Sequence, residues 1–168
     1  DKMELRERFC APLAFGTAGL RGTMKVGLHH MNVHVVRWVT QGFAEVICAE
    51  SDWAGDRKAA VCMDGRKNSR RFAEAAAEVL AANGITVYLF DGPRPTPELS
   101  FAVRAYGCLA GINITASHNP KEYNGYKAYW CDGAQLQTET AMAVSARLEE
   151  IDVFAGPKRM DLQRGIEL

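Results

Sequence analysis

Apolar positions along the chain switch repeatedly between helical and strand-like spacing. Val36, Val39, Phe43, Val46 and Ile47 follow an i, i+3, i+7 pattern behind Asn32, a plausible N-cap, and predict a helix that ends near Glu50. Ala59 to Met63 is a short apolar run that breaks at Asp64-Gly65, and Ser69 is then expected to cap an Ala-rich helix that stops before Gly84. Ile85 to Phe90 reads as the next strand. Thr96-Pro97-Glu98-Leu99 puts a cap, an N1 proline and an early carboxylate at the start of a third helix, which Gly107 closes. Cys108 to Thr115 reads as a buried strand, Ser117 to Gly125 as a polar loop, and Tyr126 to Cys131 as a further strand. So short a connection requires these two strands to pair antiparallel, because a parallel pair needs a crossover of about a dozen residues or more. Ala141, Val144, Leu148 and Ile151 mark a last helix, after which Gly156-Pro157 breaks the periodicity. The expected fold class is α/β: a three-layer α/β/α sandwich on a mixed, mostly parallel sheet with one antiparallel strand.

Composition narrows the function classes. The 168 residues carry 20 Lys+Arg against 20 Asp+Glu, so no net charge argues for nucleic acid, and 48% apolar residues describe an ordinary globular core. No run approaches the roughly 18 apolar residues of a membrane span, and the start Asp1-Lys2-Met3-Glu4 lacks the plan of a signal peptide. The five cysteines are odd in number, widely spaced and without C-x-x-C, and read as reduced core thiols. The expectation is a cytoplasmic protein with neither nucleic acid nor membrane as partner.

Three clusters carry candidate chemistry. Thr115-Ala116-Ser117-His118-Asn119-Pro120 puts a hydroxyl at the C-terminal end of a predicted strand, where open α/β sheets place their sites. A hairpin centred near Glu122 would set Lys127 opposite Ser117, as a nucleophile and its proton-transfer partner. The alternative, a polar turn beside a solvated lysine, stays open on spacing alone. Phe15-Gly16-Thr17-Ala18-Gly19-Leu20-Arg21-Gly22 combines three glycines, which let backbone approach an anion, with an arginine able to bind it bidentately. Asp64-Gly65-Arg66-Lys67-Asn68-Ser69 lies between a strand and a helix N-terminus, a position suited to phosphate, although Asp64 and Arg66 could equally hold the loop. His29-His30 read as surface or loop residues, since no third ligand stands at metal-binding spacing.

Taken in order, F-G-T-A-G-L-R-G, D-x-R-x-x-S, Thr96-Pro97, T-A-S-H-N-P at Thr115 to Pro120 and N-G-x-K at Asn124 to Lys127 cover nearly the whole chain. The set resembles the N-terminal domain of the α-D-phosphohexomutase superfamily, the phosphoglucomutase and phosphomannomutase enzymes. The resemblance implies an isomerase that interconverts sugar 1-phosphate and 6-phosphate through a bisphosphorylated intermediate. By it, Ser117 is the phosphoserine, Lys127 the general acid/base, Arg21 an arginine reaching the site, and His118 a neighbour of the nucleophile. Thr17, Gly19, Arg21, Arg66 and Asn119 are the candidate substrate- or phosphate-binding residues.

The departures from the family pattern define what else is expected. Its D-G-D-x-D-R magnesium loop has no counterpart, because the Asp-Gly pairs at 64, 91 and 132 continue as Arg66, Pro93 and Ala134. Ser117 would thus be the chain's only contribution to Mg²⁺, and one weak ligand holds that ion poorly. Residues 1–152 are expected to form the domain with the catalytic serine, and 153–168 a linker or the start of a missing next domain. The partners would be a sugar phosphate and the C-terminal domains of the same polypeptide, without which the domain is expected to be inactive. A non-catalytic phosphate- or phosphosugar-binding module is the competing class, against which the retention of both Ser117 and Lys127 argues.

Overall fold

Strand β2, Lys58–Met63, reads KAAVCM and is buried at every position after the first, as an interior strand must be. The computed structural model, which describes residues 2–17 and 19–162, places it within a five-stranded sheet of order β1-β5-β4-β2-β3. The other strands are β1 Gly19–Thr23, β3 Thr86–Leu89, β4 Ala110–Ile114 and β5 Tyr123–Trp130. β2 runs parallel to β3 and β4, whereas β5 is antiparallel to both β4 and β1. β5 is therefore the single strand of opposite direction, as expected from the sequence.

The helices are α1 Lys2–Phe9, α2 Val33–Ala49, α3 Ser69–Ala82, α4 Thr96–Ala105 and α5 Thr138–Glu150. α2, α3 and α5 cover one face of the sheet, where Val36, Val39, Phe43, Leu80, Val144 and Leu148 close over Val61, Ile112 and the fully buried Tyr126. α4 covers the other face, packing Leu99, Ala102 and Val103 on Ala60, Cys62 and Tyr129. Asn32 caps α2 as expected, its side chain accepting from the His34 and Val35 amides, an arrangement worth about 1 kcal/mol. Gly42 lets α5 sit close, since a Cβ there would stand 2.6 Å from Leu148 Cδ2.

Several expectations are corrected. Ser69 does not cap α3 but is its first residue, fully buried, with its hydroxyl turned back to Asp64. Asn68 holds the N-cap place in a left-handed conformation, φ 65°, and makes no capping bond. Thr96 likewise lies inside α4 behind Pro95, its hydroxyl accepting from Asn113 Nδ2 at 2.8 Å. The glycine-rich motif, given no secondary structure above, supplies strand β1 from Gly19 onward, and the start of the chain forms α1, which buries none of its residues. His30 is buried, tied to Thr23 Oγ1, whereas His29 is exposed, as expected. Cys62 and Cys108 are core thiols, the latter pushed up by burial to about 11, but Cys10 and Cys48 are exposed at helix ends.

Past α5, Asp152 folds residues 152–156 into a turn by accepting from the Phe154 and Ala155 amides, and Lys158 N donates to Gln41 on α2. Ala18 of the glycine-rich motif and residues 163–168 of the expected linker lie outside the described residues.

Candidate functional site

β4 is buried along its whole length and delivers Thr115 and Ala116, both buried, to the C-terminal edge of the sheet. The chain then turns sharply. Ser117 adopts φ 54°, a left-handed conformation that costs a residue with a Cβ about 1–3 kcal/mol and persists only where neighbours enforce it. Its amide donates to Thr115 Oγ1 at 3.0 Å, and the Asn119 amide closes the turn on the Ala116 carbonyl at 3.1 Å. The result is an exposed serine hydroxyl on a fixed backbone.

Lys127 Nζ donates to Ser117 Oγ at 2.6 Å. The two residues meet, but the register differs from the one expected. The β4–β5 ladder pairs Asn113 with Lys127 and Ile114 with Tyr126, so the hairpin is centred on Pro120 and not near Glu122. The Thr115 amide, donating to the Gly125 carbonyl at 3.0 Å, holds the same register to the end of the ladder, and β5 begins three residues earlier than the apolar pattern shows because β1 pairs with Tyr123 to Lys127.

β1 also brings in Arg21. Arg21 stands opposite Gly125 and Gly19 opposite Lys127, so Arg21 and Lys127 project from one face of the sheet. Arg21 Nη1 donates to Asn119 Oδ1 at 2.6 Å, linking strand to loop. Gly19, at φ 144°, permits this approach, because a Cβ there would collide with the Tyr126 carbonyl. Thr17 is exposed in the turn that Gly16 N closes on the Gly19 carbonyl at 2.7 Å. His118 is exposed on the loop beside the serine.

Arg66 is placed beneath the loop, half-buried. Its Nη1 donates to the carbonyls of Pro120 (2.8 Å) and Tyr123 (3.3 Å), and its Nη2 to those of Ser117 (2.8 Å) and Asn119 (2.7 Å). Its Nε faces Asp64 Oδ2 at 3.2 Å, so all five N–H groups have an acceptor. Asp64 in turn accepts from the Arg66 amide and from Ser69 Oγ at 2.7 Å. The fully buried Asn124 completes the chain, donating to Ser69 Oγ and to the Lys67 carbonyl. Sequence reasoning assigned no function to Asp64 beyond the loop, nor any to Thr115, Ser69 or Asn124. The available signal was an asparagine heading an otherwise apolar strand, Y-N-G-Y, where a buried amide needs partners. A groove of about 1130 Å³ runs along Arg66, Lys67, Asn119, Lys121 and Lys25, and Ser117 is not among its walls.

The described residues do not by themselves fit Mg²⁺. No group of three or more His, Cys, Asp or Glu converges among them, and Ser117 Oγ faces an ammonium rather than further oxygen ligands.

Fold and site together define a mixed α/β/α domain with a serine–lysine pair at the C-terminal edge of its sheet. Residues 12–154 match the family model described as phosphoglucomutase/phosphomannomutase, alpha/beta/alpha domain I, and the chain belongs to that family. A phosphoglucomutase of Staphylococcus aureus (strain USA300) is 44% identical over 149 residues, 89% of this chain and 26% of the relative. The chain thus spans about a quarter of the length of the curated relatives it matches. A crystal structure of a putative phosphomannomutase from Thermus thermophilus superimposes with a TM-score of 0.76 at 33% identity, covering 91% of this chain and 34% of that one. A phosphoglucomutase/phosphomannomutase family protein from Burkholderia thailandensis gives 0.67 at 26% identity, over 88% and 32%.

Proposed function

We propose that this chain is the domain that carries the phosphoserine of a cytoplasmic phosphohexomutase interconverting sugar 1-phosphate and 6-phosphate through a bisphosphorylated intermediate. One observation carries the reading: the 2.6 Å contact from the Lys127 ammonium to the hydroxyl of a backbone-constrained, exposed Ser117, within a chain of this family. When phosphoserine gives up its phosphoryl group, the Oγ–P bond breaks and the Lys127 ammonium supplies the proton that Oγ takes up. The new O–P bond forms on a sugar hydroxyl, whose proton passes to water. In the return step Ser117 Oγ attacks the second phosphate of the bisphosphorylated sugar: the Oγ–P bond forms as the sugar O–P bond breaks, the released sugar oxygen takes a proton from water, and the neutral Lys127 amine takes up the serine hydroxyl proton.

The other site residues serve the charge that moves. Arg21 and Asn119 would line the approach to Ser117, with His118 next to it in the loop and Thr17 and Gly19 as further candidates to bind the phosphate, and phosphoryl transfer depends mainly on such positioning and charge stabilisation. An oxygen on phosphorylated Ser117 would be this chain's contribution to Mg²⁺, and the remaining ligands would come from further domains of the polypeptide. The domain itself would be residues 1–152, inactive alone, with 153–168 leading to the next.

Incubating the protein with a sugar 1,6-bisphosphate and mapping phosphate by peptide mass spectrometry tests the reading. Phosphate is expected on Ser117 in the full-length enzyme, and Ser117→Ala should abolish turnover with the fold intact. Turnover by Ser117→Ala at the wild-type rate would reject the assignment.

A further inference from the structure

We propose that Arg66 is a positioning residue of the phosphoryl-transfer site, one that sets the backbone polarity of the serine loop, and not a ligand of phosphate. The inference rests on the reading of Ser117 as the phosphoryl carrier, and goes beyond it.

The geometry argues against a ligand. A guanidinium has five N–H groups in a rigid fork, and here four go to the carbonyls of Ser117, Asn119, Pro120 and Tyr123 while the fifth faces Asp64. None is free for an anion. Asp64 is itself fixed by the Arg66 amide and the buried Ser69 hydroxyl, so the fork is held from behind as well as from above.

The same contacts orient the loop. Peptide groups are planar, and no cis bond occurs among the described residues, so a carbonyl drawn toward Arg66 turns the following N–H away from it. The Ser117 carbonyl points at Nη2, hence the His118 amide faces outward, and the Pro120 carbonyl does the same for the amide of Lys121. Gathering the negative ends of these peptides on one cation removes them from the side where a phosphoryl group would sit, leaving donors there instead. This also accounts for the left-handed Ser117, whose unfavourable conformation has the Arg66 contact on its carbonyl side and the Thr115 hydroxyl on its amide side.

The test compares Arg66→Gln and Arg66→Lys with wild type in the full-length enzyme, with Ser117→Ala in parallel. A misplaced reacting group costs on the order of 10²-fold in rate. Arg66→Gln is therefore expected to lower kcat by about that factor, with KM changed less than about threefold. Hydrogen exchange should rise in peptides covering 115–124 and not elsewhere, and added ethylguanidinium should restore part of kcat. Arg66→Lys keeps a cation beside Asp64 and guards against loss of folding; with three donors in place of the fork, it should fall between the two. A raised KM at unchanged kcat, or wild-type kcat and exchange in either variant, overturns the proposal. If Ser117→Ala keeps its turnover, the reading of the serine falls instead, whatever Arg66 does.

Discussion

Lys127 reaches the Ser117 hydroxyl from a position that is not its partner in the sheet. Lys127 pairs with Asn113, and continuing the β4–β5 ladder would set Ser117 against Tyr123. The 2.6 Å contact exists because the left-handed turn at Ser117 lifts the chain out of the ladder and the long lysine side chain runs along the strand to meet it. The pair is thus made by a loop conformation and a side chain's reach, and each can be changed separately.

Lys127→Met removes the proton source while leaving Ser117 and its loop in place. Loss of a positioned acid or base is expected to reduce kcat by about 10²- to 10⁴-fold in the full-length enzyme. Lys127→Arg keeps the charge but holds its proton at neutral pH, so it should restore little. Steady-state kinetics of the two variants decide the point, and wild-type turnover in Lys127→Arg would reduce the lysine to an electrostatic role.

Gly19→Ala tests the strand that carries Arg21. At φ 144° any side chain is strained, and a Cβ at this position would strike the Tyr126 carbonyl across the ladder. A loss of at least about 1–3 kcal/mol in urea unfolding is expected, as for other residues forced into such conformations. A variant within about 0.5 kcal/mol of wild type would show that β1 contributes little to the sheet.

The layers were legible because their signals are local: Val36 to Ile47 on α2, the Ala-rich α3, and the buried runs of β2 and β4 each repeat at the period of their element. β1 was not legible, because GLRGT has a single large apolar residue and takes its order from the neighbour it pairs with. That omission hid the first three residues of β5, Tyr123 to Gly125, which β1 pairs with. Motif order pointed to Ser117, Lys127 and Arg21 without geometry. It could not distinguish an arginine that binds anions from one whose five donors go to the protein, since that depends on where four carbonyls of a distant loop point.

Asn124 is the buried link between the loop's return strand and α3. Asn124→Ala leaves Ser69 Oγ, the Lys67 carbonyl and the Gly125 amide each short of a partner, in a region with no exposure at Asn124 or Ser69. The expected loss is about 1–3 kcal/mol. Because the residues share one network, a cycle with Ser69→Ala should show a coupling of about 0.5–3 kcal/mol. Additive losses in chemical denaturation would mean that the two side chains act independently.

His30 should make the domain acid-sensitive. Its ring is buried, Nδ1 lies 3.0 Å from Thr23 Oγ1, and Nε2 is buried with no partner among the described residues. Desolvation, reinforced by Lys25, His29 and Arg8 and opposed by Glu7, holds its pKa below the ordinary 6.5. Above that value the imidazole is neutral in both the folded and unfolded chains, and its contribution is fully present. As pH falls through about 6.5, the unfolded chain takes up the proton first, so stability declines until the lower folded pKa is passed. His30→Gln, which keeps a polar group facing Thr23, should flatten this part of the pH profile relative to wild type. Urea unfolding of both proteins from about pH 8 to about pH 5, a range that brackets the ordinary histidine pKa, measures the difference directly. Parallel profiles would show that His30 binds its proton equally well in the folded and unfolded chains, and would overturn the prediction.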